Sequence, residues 1–159
     1  MKSKVVSVAE LAEISSSLRR EGKRLVVTNG CFDLLHVGHV RYLQAARALG
    51  DALAVGVNGD ASVRSLKGKG RPLNNEHDRA EVLAALACVD YAAVFQEMRA
   101  TGFLEQVRPA IYVKGGDYRP ETLDPAERAA LENTDAEIKI IPFEHGYSTT
   151  ALIDQMHSI

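Results

Sequence analysis

Two histidines three residues apart, His36 and His39, are the side chains of this sequence best placed to do chemistry. They follow a short apolar run, Leu25-Val-Val-Thr28, and a turn at Gly30. A run of that length, rich in β-branched residues, reads as a buried strand. Behind the histidines, Val40 to Leu49 is predicted to be an amphipathic helix with Gly50 as its stop. Strand, glycine turn and helix N-terminus together make an anion site, because unpaired backbone N–H groups and the positive end of the helix dipole converge there. Imidazoles at i and i+3 point the same way from a first helical turn, which suits phosphate chemistry. Each histidine alone has a plainer reading as a solvated loop residue or a cap. Zinc is the other alternative, but it needs further ligands, and neither Cys31 nor Cys88 has a Cys-x-x-Cys partner.

The elements needed to position these groups can be read along the chain. Ser7-Val-Ala-Glu10 has the form of a capping box, followed by Leu11, Ile14 and Leu18 at helical spacing until Gly22. Further strands are predicted at 51–58, 91–95, 111–114 and 137–141. Helices are predicted from Glu76 to Cys88, from Thr101 to Val107, after Asp124-Pro125, and after Ser148, with Leu152, Ile153 and Met156 on the last. Residues 66–75 read as a basic, glycine-rich loop. Strands alternating with helices imply an α/β fold with one doubly wound, mostly parallel five-stranded sheet. Ligands of such sheets bind beyond the carboxyl ends of the strands, and the polar motifs fall at those ends.

Bulk properties narrow the function. The 159 residues suit one domain, an N-terminal helix over 1–23 and a core over 24–159. A hydrophobic share of 46% with 25% charged residues is that of a soluble globular chain. A net charge of −2 argues against a surface for nucleic acid. Two cysteines make no disulfide framework. No run approaches the roughly 18 apolar residues of a membrane helix, and no apolar signal core opens the chain. The expected location is cytoplasmic, with neither nucleic acid nor membrane as partner.

Other positions carry two readings each. Lys67 and Lys69 flank Gly68 in the basic loop and could close over phosphates, or be a solvated face. Read by itself, Arg79 is a surface ion pair with Asp78 or Glu76. Lys114-Gly115-Gly116-Asp117-Tyr118 ends a strand, where glycines permit a close ligand approach or simply a tight turn. Ser148-Thr149-Thr150 opens the last helix, where capping and phosphate contact can coexist. Asp33 and Asp60 stand at the ends of the first two strands, within reach of a substrate hydroxyl or a Mg²⁺ shell.

Gly30-Cys31-Phe32-Asp33 with His36-x-Gly38-His39 closely resembles the signature of the HxGH nucleotidyltransferases, Rossmann-like enzymes that move a nucleotidyl group from a nucleoside triphosphate onto a phosphorylated acceptor. Within that superfamily the chain is most similar to the heptose-1-phosphate adenylyltransferases, from about Val26 to Ile153. Thr28 to His36, Gly-Arg-Pro at 70–72, Arg79 to Leu86, Arg108-Pro109, Lys114 to Tyr118 and Tyr147-Ser-Thr-Thr150 carry the likeness. It implies transfer of AMP from ATP to D-glycero-β-D-manno-heptose 1-phosphate with Mg²⁺, giving ADP-heptose and pyrophosphate. It assigns catalysis to His36, His39, Lys69 and Arg79, and substrate binding to Asp33, Asp60 and Lys67. Gly30, Cys31, Phe32, His36, Gly38, His39, Lys114, Gly115, Asp117, Ser148, Thr149 and Thr150 would bind the nucleotide. It implies a homo-oligomer, a dimer or larger. In many bacteria this domain is fused to a sugar kinase, and here it is expected to stand alone. Glycerol-3-phosphate cytidylyltransferases carry a similar Leu-Lys-Gly-Lys run, but Phe143-Glu-His-Gly146 lacks the arginine they place before Ser-Thr-Thr. A cytidylyltransferase acting on a polyol or amino-alcohol phosphate and a nucleotide-binding module without turnover are the alternatives.

Overall fold

Successive side chains of a strand point to opposite faces, and in Leu25-Val-Val both faces are apolar. A strand of this kind must be covered on both sides. In the computed structural model, which describes residues 2–116, 119–142 and 144–159, it is the central strand β1 (Leu25–Gly30). The others are β2 (Ala52–Asn58), β3 (Tyr91–Phe95), β4 (Ile111–Gly115) and β5 (Glu137–Ile141). Their order is β3-β2-β1-β4-β5 and every pairing is parallel. From β1 the chain builds outward one way through β2 and β3, then returns to build the other way through β4 and β5. The switch point therefore lies between β1 and β4.

Helices α1 (Val8–Arg20), α2 (Val37–Arg47), α3 (Asp60–Lys67), α4 (Glu76–Ala84), α5 (Thr101–Val107), α6 (Pro125–Asn133) and α7 (Thr149–His157) connect and follow the strands. On one face Leu11 of α1, Phe103, Leu104 and Val107 of α5 and Leu131 of α6 pack on Val27, Ala54, Phe95 and Tyr112. On the other, Leu43 and Ala46 of α2 with Ala80 and Leu83 of α4 pack on Val26, Val55, Val57 and Val113. Such near-continuous apolar strands are what a sheet covered on both faces requires. Residues 4–6 run beside β3, where Val5 forms a parallel bridge with Ala92 and covers that edge. Among the described residues no helix is long and apolar enough to cross a membrane.

The expected caps are present. Ser7 and Glu10 form a reciprocal capping box, Asp124 caps α6 ahead of Pro125, and Ser148 caps α7. Three boundaries differ from the sequence reading. Helix α2 begins at Val37 instead of Val40, because His39 takes the role an acidic residue plays in a capping box: its Nδ1 accepts the His36 N–H at 3.3 Å. Helix α4 ends at Ala84, short of Cys88. Asp60 to Lys67 is a helix and takes the first two residues of the expected 66–75 loop. Its N-cap is Gly59, which has no side chain to announce it, and burial of Val63 and Ser62 holds this short helix in place.

Leu43 is fully buried and ties α2 to the sheet. Leu43→Ala is expected to cost about 2–5 kcal/mol in urea denaturation. A loss under about 1 kcal/mol would mean that α2 does not pack as described.

Candidate active site

Because β1 is buried on both faces, its polar side chains emerge only at its carboxyl end. There, with the ends of β2, β4 and β5, they open into a cleft of about 800 Å³ whose lining includes Asn29, Gly30, Asn58, Lys114, Gly115 and Ile141. His36 is the N-cap residue of α2 and His39 lies one turn in. Their rings stack with centroids 3.9 Å apart and planes inclined by 24°. Since His39 Nδ1 accepts a hydrogen bond, the imidazole proton sits on Nε2 and is available as a donor. Burial, with the neighbouring His36 adding to it, lowers the His39 pKa to about 4, and burial also pulls His36 down. At neutral pH the pair is therefore a set of uncharged donors. The positive potential comes from the helix end and the cations around it.

Two glycines allow this arrangement. A Cβ at Gly38 would lie 2.9 Å from the His36 ring and 3.0 Å from Cβ of Tyr147. A Cβ at Gly30 would meet the Phe32 ring at 2.9 Å. Phe32 adopts φ 47°, a costly left-handed conformation for a bulky residue, and its ring stands 5.4 Å from that of His39.

Helix α7 brings a second N-terminus to the same cleft. Thr149 Oγ1 donates to the Leu34 carbonyl at 2.9 Å and docks α7 onto the loop before α2. The Ser148 hydroxyl oxygen accepts the Ala151 N–H at 2.9 Å, which leaves its own O–H to donate. Ser148, Thr149 and Thr150 all line the cleft. Two helix N-termini converging on one space favour a ligand with more than one negative charge.

Of the residues singled out from sequence, Gly30, Cys31, Phe32, Asp33, His36, Gly38, His39, Lys67, Lys114, Gly115, Ser148, Thr149 and Thr150 share this cleft. Asp117 lies outside the described residues. Four of the residues singled out are held or placed otherwise than their sequence reading implies. The Asp33 carboxylate lines the cleft and accepts from Arg71 Nε at 2.7 Å, Leu73 N at 2.9 Å and Asn74 N at 3.0 Å. Burial pushes that carboxyl up, but the Asn74 and Leu73 N–H groups and the Arg71 guanidinium outweigh it and hold it below the usual range. Arg79 is only 2% exposed and does not line the cleft. It donates to the carbonyls of Asn74, Cys31 and Asn58 and to Asp60 Oδ1, so its fork is spent on protein oxygens. The plain surface ion pair with Asp78 or Glu76 is equally absent. Asp60, engaged by Arg79, is outside the lining. Lys69 is exposed beyond the cleft, between Gly68 and Gly70, both at positive φ. Among the described residues no cluster of three or more His, Cys, Asp or Glu could hold a metal ion.

Sequence reasoning missed Arg71, Arg41, Tyr147 and Glu127. Arg71 lines the cleft and is held by Asp33, and its only signal was the Gly-Arg-Pro run at 70–72. Tyr147 stacks 6.2 Å from His36 beneath the Arg41 guanidinium, and Arg41 pairs with Glu144. Glu127 and Lys114, an ion pair at 3.7 Å, come from α6 and β4. No local pattern marks pairs that only the fold brings together.

An all-parallel doubly wound sheet with paired imidazoles at the N-terminus of α2, the helix that follows the central strand, defines a nucleotide-handling fold. The chain belongs to the cytidylyltransferase-like family, whose model matches residues 27–155. It is 49% identical over 154 residues to the bifunctional protein HldE of Geobacter sulfurreducens, a match covering 96% of this chain. Over 149 residues it is 48% identical to the bifunctional protein HldE of Nitratiruptor sp., covering 94% of this chain. In both cases this chain spans 31% of the relative's length. The crystal structure of the lipopolysaccharide core biosynthesis protein from Thermoplasma volcanium is similar, with a TM-score of 0.63 and 30% identity, covering 77% of this chain and 98% of that one.

The His39 pKa of about 4 lies below the unfolded value of 6.5, so the unfolded chain binds the proton first as pH falls. The stability this ring contributes is complete above about pH 6.5 and is lost as pH falls toward about 4. Denaturation of wild type and His39→Asn across that window should show a steeper acid loss in the wild type. Equal slopes would contradict the buried, neutral ring. Asp33→Ala removes the acceptor of the Leu73 and Asn74 amides, and hydrogen exchange at those two amides should accelerate by about tenfold or more. Unchanged protection would show that the carboxylate does not hold the loop.

Proposed function

We propose that this chain transfers AMP from ATP to D-glycero-β-D-manno-heptose 1-phosphate, giving ADP-heptose and pyrophosphate. The observation that carries the reading is the stacked His36–His39 pair at the N-terminus of α2, sharing one cleft with Ser148 to Thr150 at the N-terminus of α7. Relatives named bifunctional protein HldE and a neighbour named for lipopolysaccharide core biosynthesis support the acceptor assignment. So does the likeness of the motifs to heptose-1-phosphate adenylyltransferases. A reaction fed by ATP and a soluble sugar phosphate belongs in the cytoplasm. A homo-oligomer accords with the same resemblance.

In the step itself, an oxygen of the acceptor phosphate attacks the α-phosphorus of ATP and forms a new P–O bond. The bond from that phosphorus to the α,β-bridging oxygen breaks, and its electron pair leaves with pyrophosphate. No protein nucleophile is needed, and the work is positioning two anions and stabilising charge as it grows. The His39 Nε2–H donates to the α-phosphate, and His36 and the N–H groups of α2 bind alongside. Ser148 and the start of α7 hold the rest of the triphosphate. Lys67 and Arg71 neutralise the incoming acceptor phosphate, and Lys69 reaches in as the glycine loop closes. Arg79 positions: it fixes the ends of β1 and β2 relative to the 74–75 turn. Mg²⁺ is supplied on ATP.

Pyrophosphate release should be seen with ATP and not CTP, and with the heptose 1-phosphate above other sugar and polyol phosphates. His39→Ala should lower kcat by about 10²–10³-fold while ATP affinity stays within about tenfold, or 1.4 kcal/mol. Wild-type protein that binds ATP yet releases pyrophosphate with no acceptor would establish a binding module instead. Turnover of CTP in place of ATP would make it a cytidylyltransferase.

A further inference from the structure

We infer that Glu127 selects the acceptor, by accepting a hydrogen bond from a hydroxyl of its sugar ring or side chain; the inference rests on the sugar-phosphate reading above. Glu127 stands in the first turn of α6, is 6% exposed, and lines the cleft. Its Oε1 accepts the Ala100 N–H at 3.2 Å. Its Oε2 is buried and accepts no hydrogen bond among the described residues. Lys114 Nζ, 3.7 Å away, balances the charge but stands beyond hydrogen-bonding length. A buried carboxylate oxygen without a donor is costly, and the cost is relieved when a ligand supplies one. That ligand group must be a neutral donor, since a phosphate oxygen would meet the carboxylate as like charge. A hydroxyl fits.

The placement favours the acceptor over the triphosphate. Ala100 and α6 belong to the layer packed on the face of the sheet that carries α1 and α5. The histidines stand on α2, which packs on the opposite face. In-line displacement at the α-phosphorus brings the attacking oxygen in opposite the leaving pyrophosphate. The acceptor thus approaches from the wall that does not hold the triphosphate, and Glu127 is on that wall. Lys114, at the end of β4, stands beside the switch point between the two. An acceptor with a hydroxyl at this point gains a charge-assisted hydrogen bond, whereas one without it leaves Glu127 unpaired. Unpaired polar groups are how a site rejects a near-isostere strongly.

The test is steady-state kinetics of the full chain with ATP, the best sugar 1-phosphate, and single-deoxy versions of that sugar. Glu127→Gln keeps an oxygen for the Ala100 N–H but replaces the hydroxyl acceptor with a donor. It should raise KM for the sugar phosphate by about tenfold or more and leave KM for ATP within about twofold. One deoxy analogue should suffer a similar loss with the wild type and no further loss with the variant. Should Glu127→Gln fail to fold by circular dichroism, Glu127→Asp keeps the carboxylate but withdraws it, and the same acceptor-specific rise in KM is expected. A rise in KM for ATP instead, both KM values unchanged, or wild type and variant ranking every deoxy analogue alike would overturn the role of Glu127. If wild-type protein turns over no sugar phosphate at all, the adenylyltransfer reading itself fails and this role falls with it.

Discussion

The burial of β1 on both faces is the constraint on which the rest of the molecule depends. Val26 and Val27 are wholly enclosed by opposite helical layers, so nothing along the strand can serve a ligand. Polar groups are excluded until the chain leaves the sheet at Asn29 and Gly30, and there the backbone has to turn sharply into α2. The same holds for β2 and β4, whose ends lie beside it. The chemistry is concentrated at one rim because the interior forbids it elsewhere.

At that rim the histidines act as neutral donors. Burial, and for His39 the neighbouring His36, makes protonation unfavourable. Two imidazolium rings at 3.9 Å would repel each other and the dipole of α2. The His36 N–H held by His39 Nδ1 does two things at once: it completes the helix start and aims the remaining N–H outward. The residue that completes the start of α2 is thus also one that lines the cleft. A bound anion would raise the affinity of both rings for protons, so charge in the pair follows the ligand.

Behind the cleft, Arg79 and Asp33 do for the loops what the core does for the sheet. Arg79 collects carbonyls from three segments, and Asp33 gathers the 71–74 turn through two backbone amides and Arg71. Each buried charge is matched by several hydrogen bonds, the condition under which such a group is tolerated. Arg79 thereby ties Cys31 and Asn58 together, and Asp33 ties Arg71 to the loop before α2. Glu127 differs: one oxygen of this buried carboxylate has Lys114 at 3.7 Å but accepts no hydrogen bond among the described residues.

Local pattern alone determined the strands, most helix caps and the two histidines at a helix start, because strand and helix periods, capping residues and glycine turns act over a few neighbouring residues. It also placed Ser148 to Thr150 correctly at the head of α7. The short helix α3 escaped notice because Gly59 carries no capping side chain and its stability comes from packing. The partners of charged groups were decided by tertiary structure alone. Nothing within a few positions of Arg79, Asp33 or Glu127 distinguishes a residue that meets a substrate from one that meets carbonyls. Arg79 meets oxygens 21 and 48 residues away in the chain, and Glu127 meets an amide 27 residues away. Hydrogen bonds at such separations form only once the crossovers have brought strand ends together, so residue type was legible in the chain and role was settled by the fold.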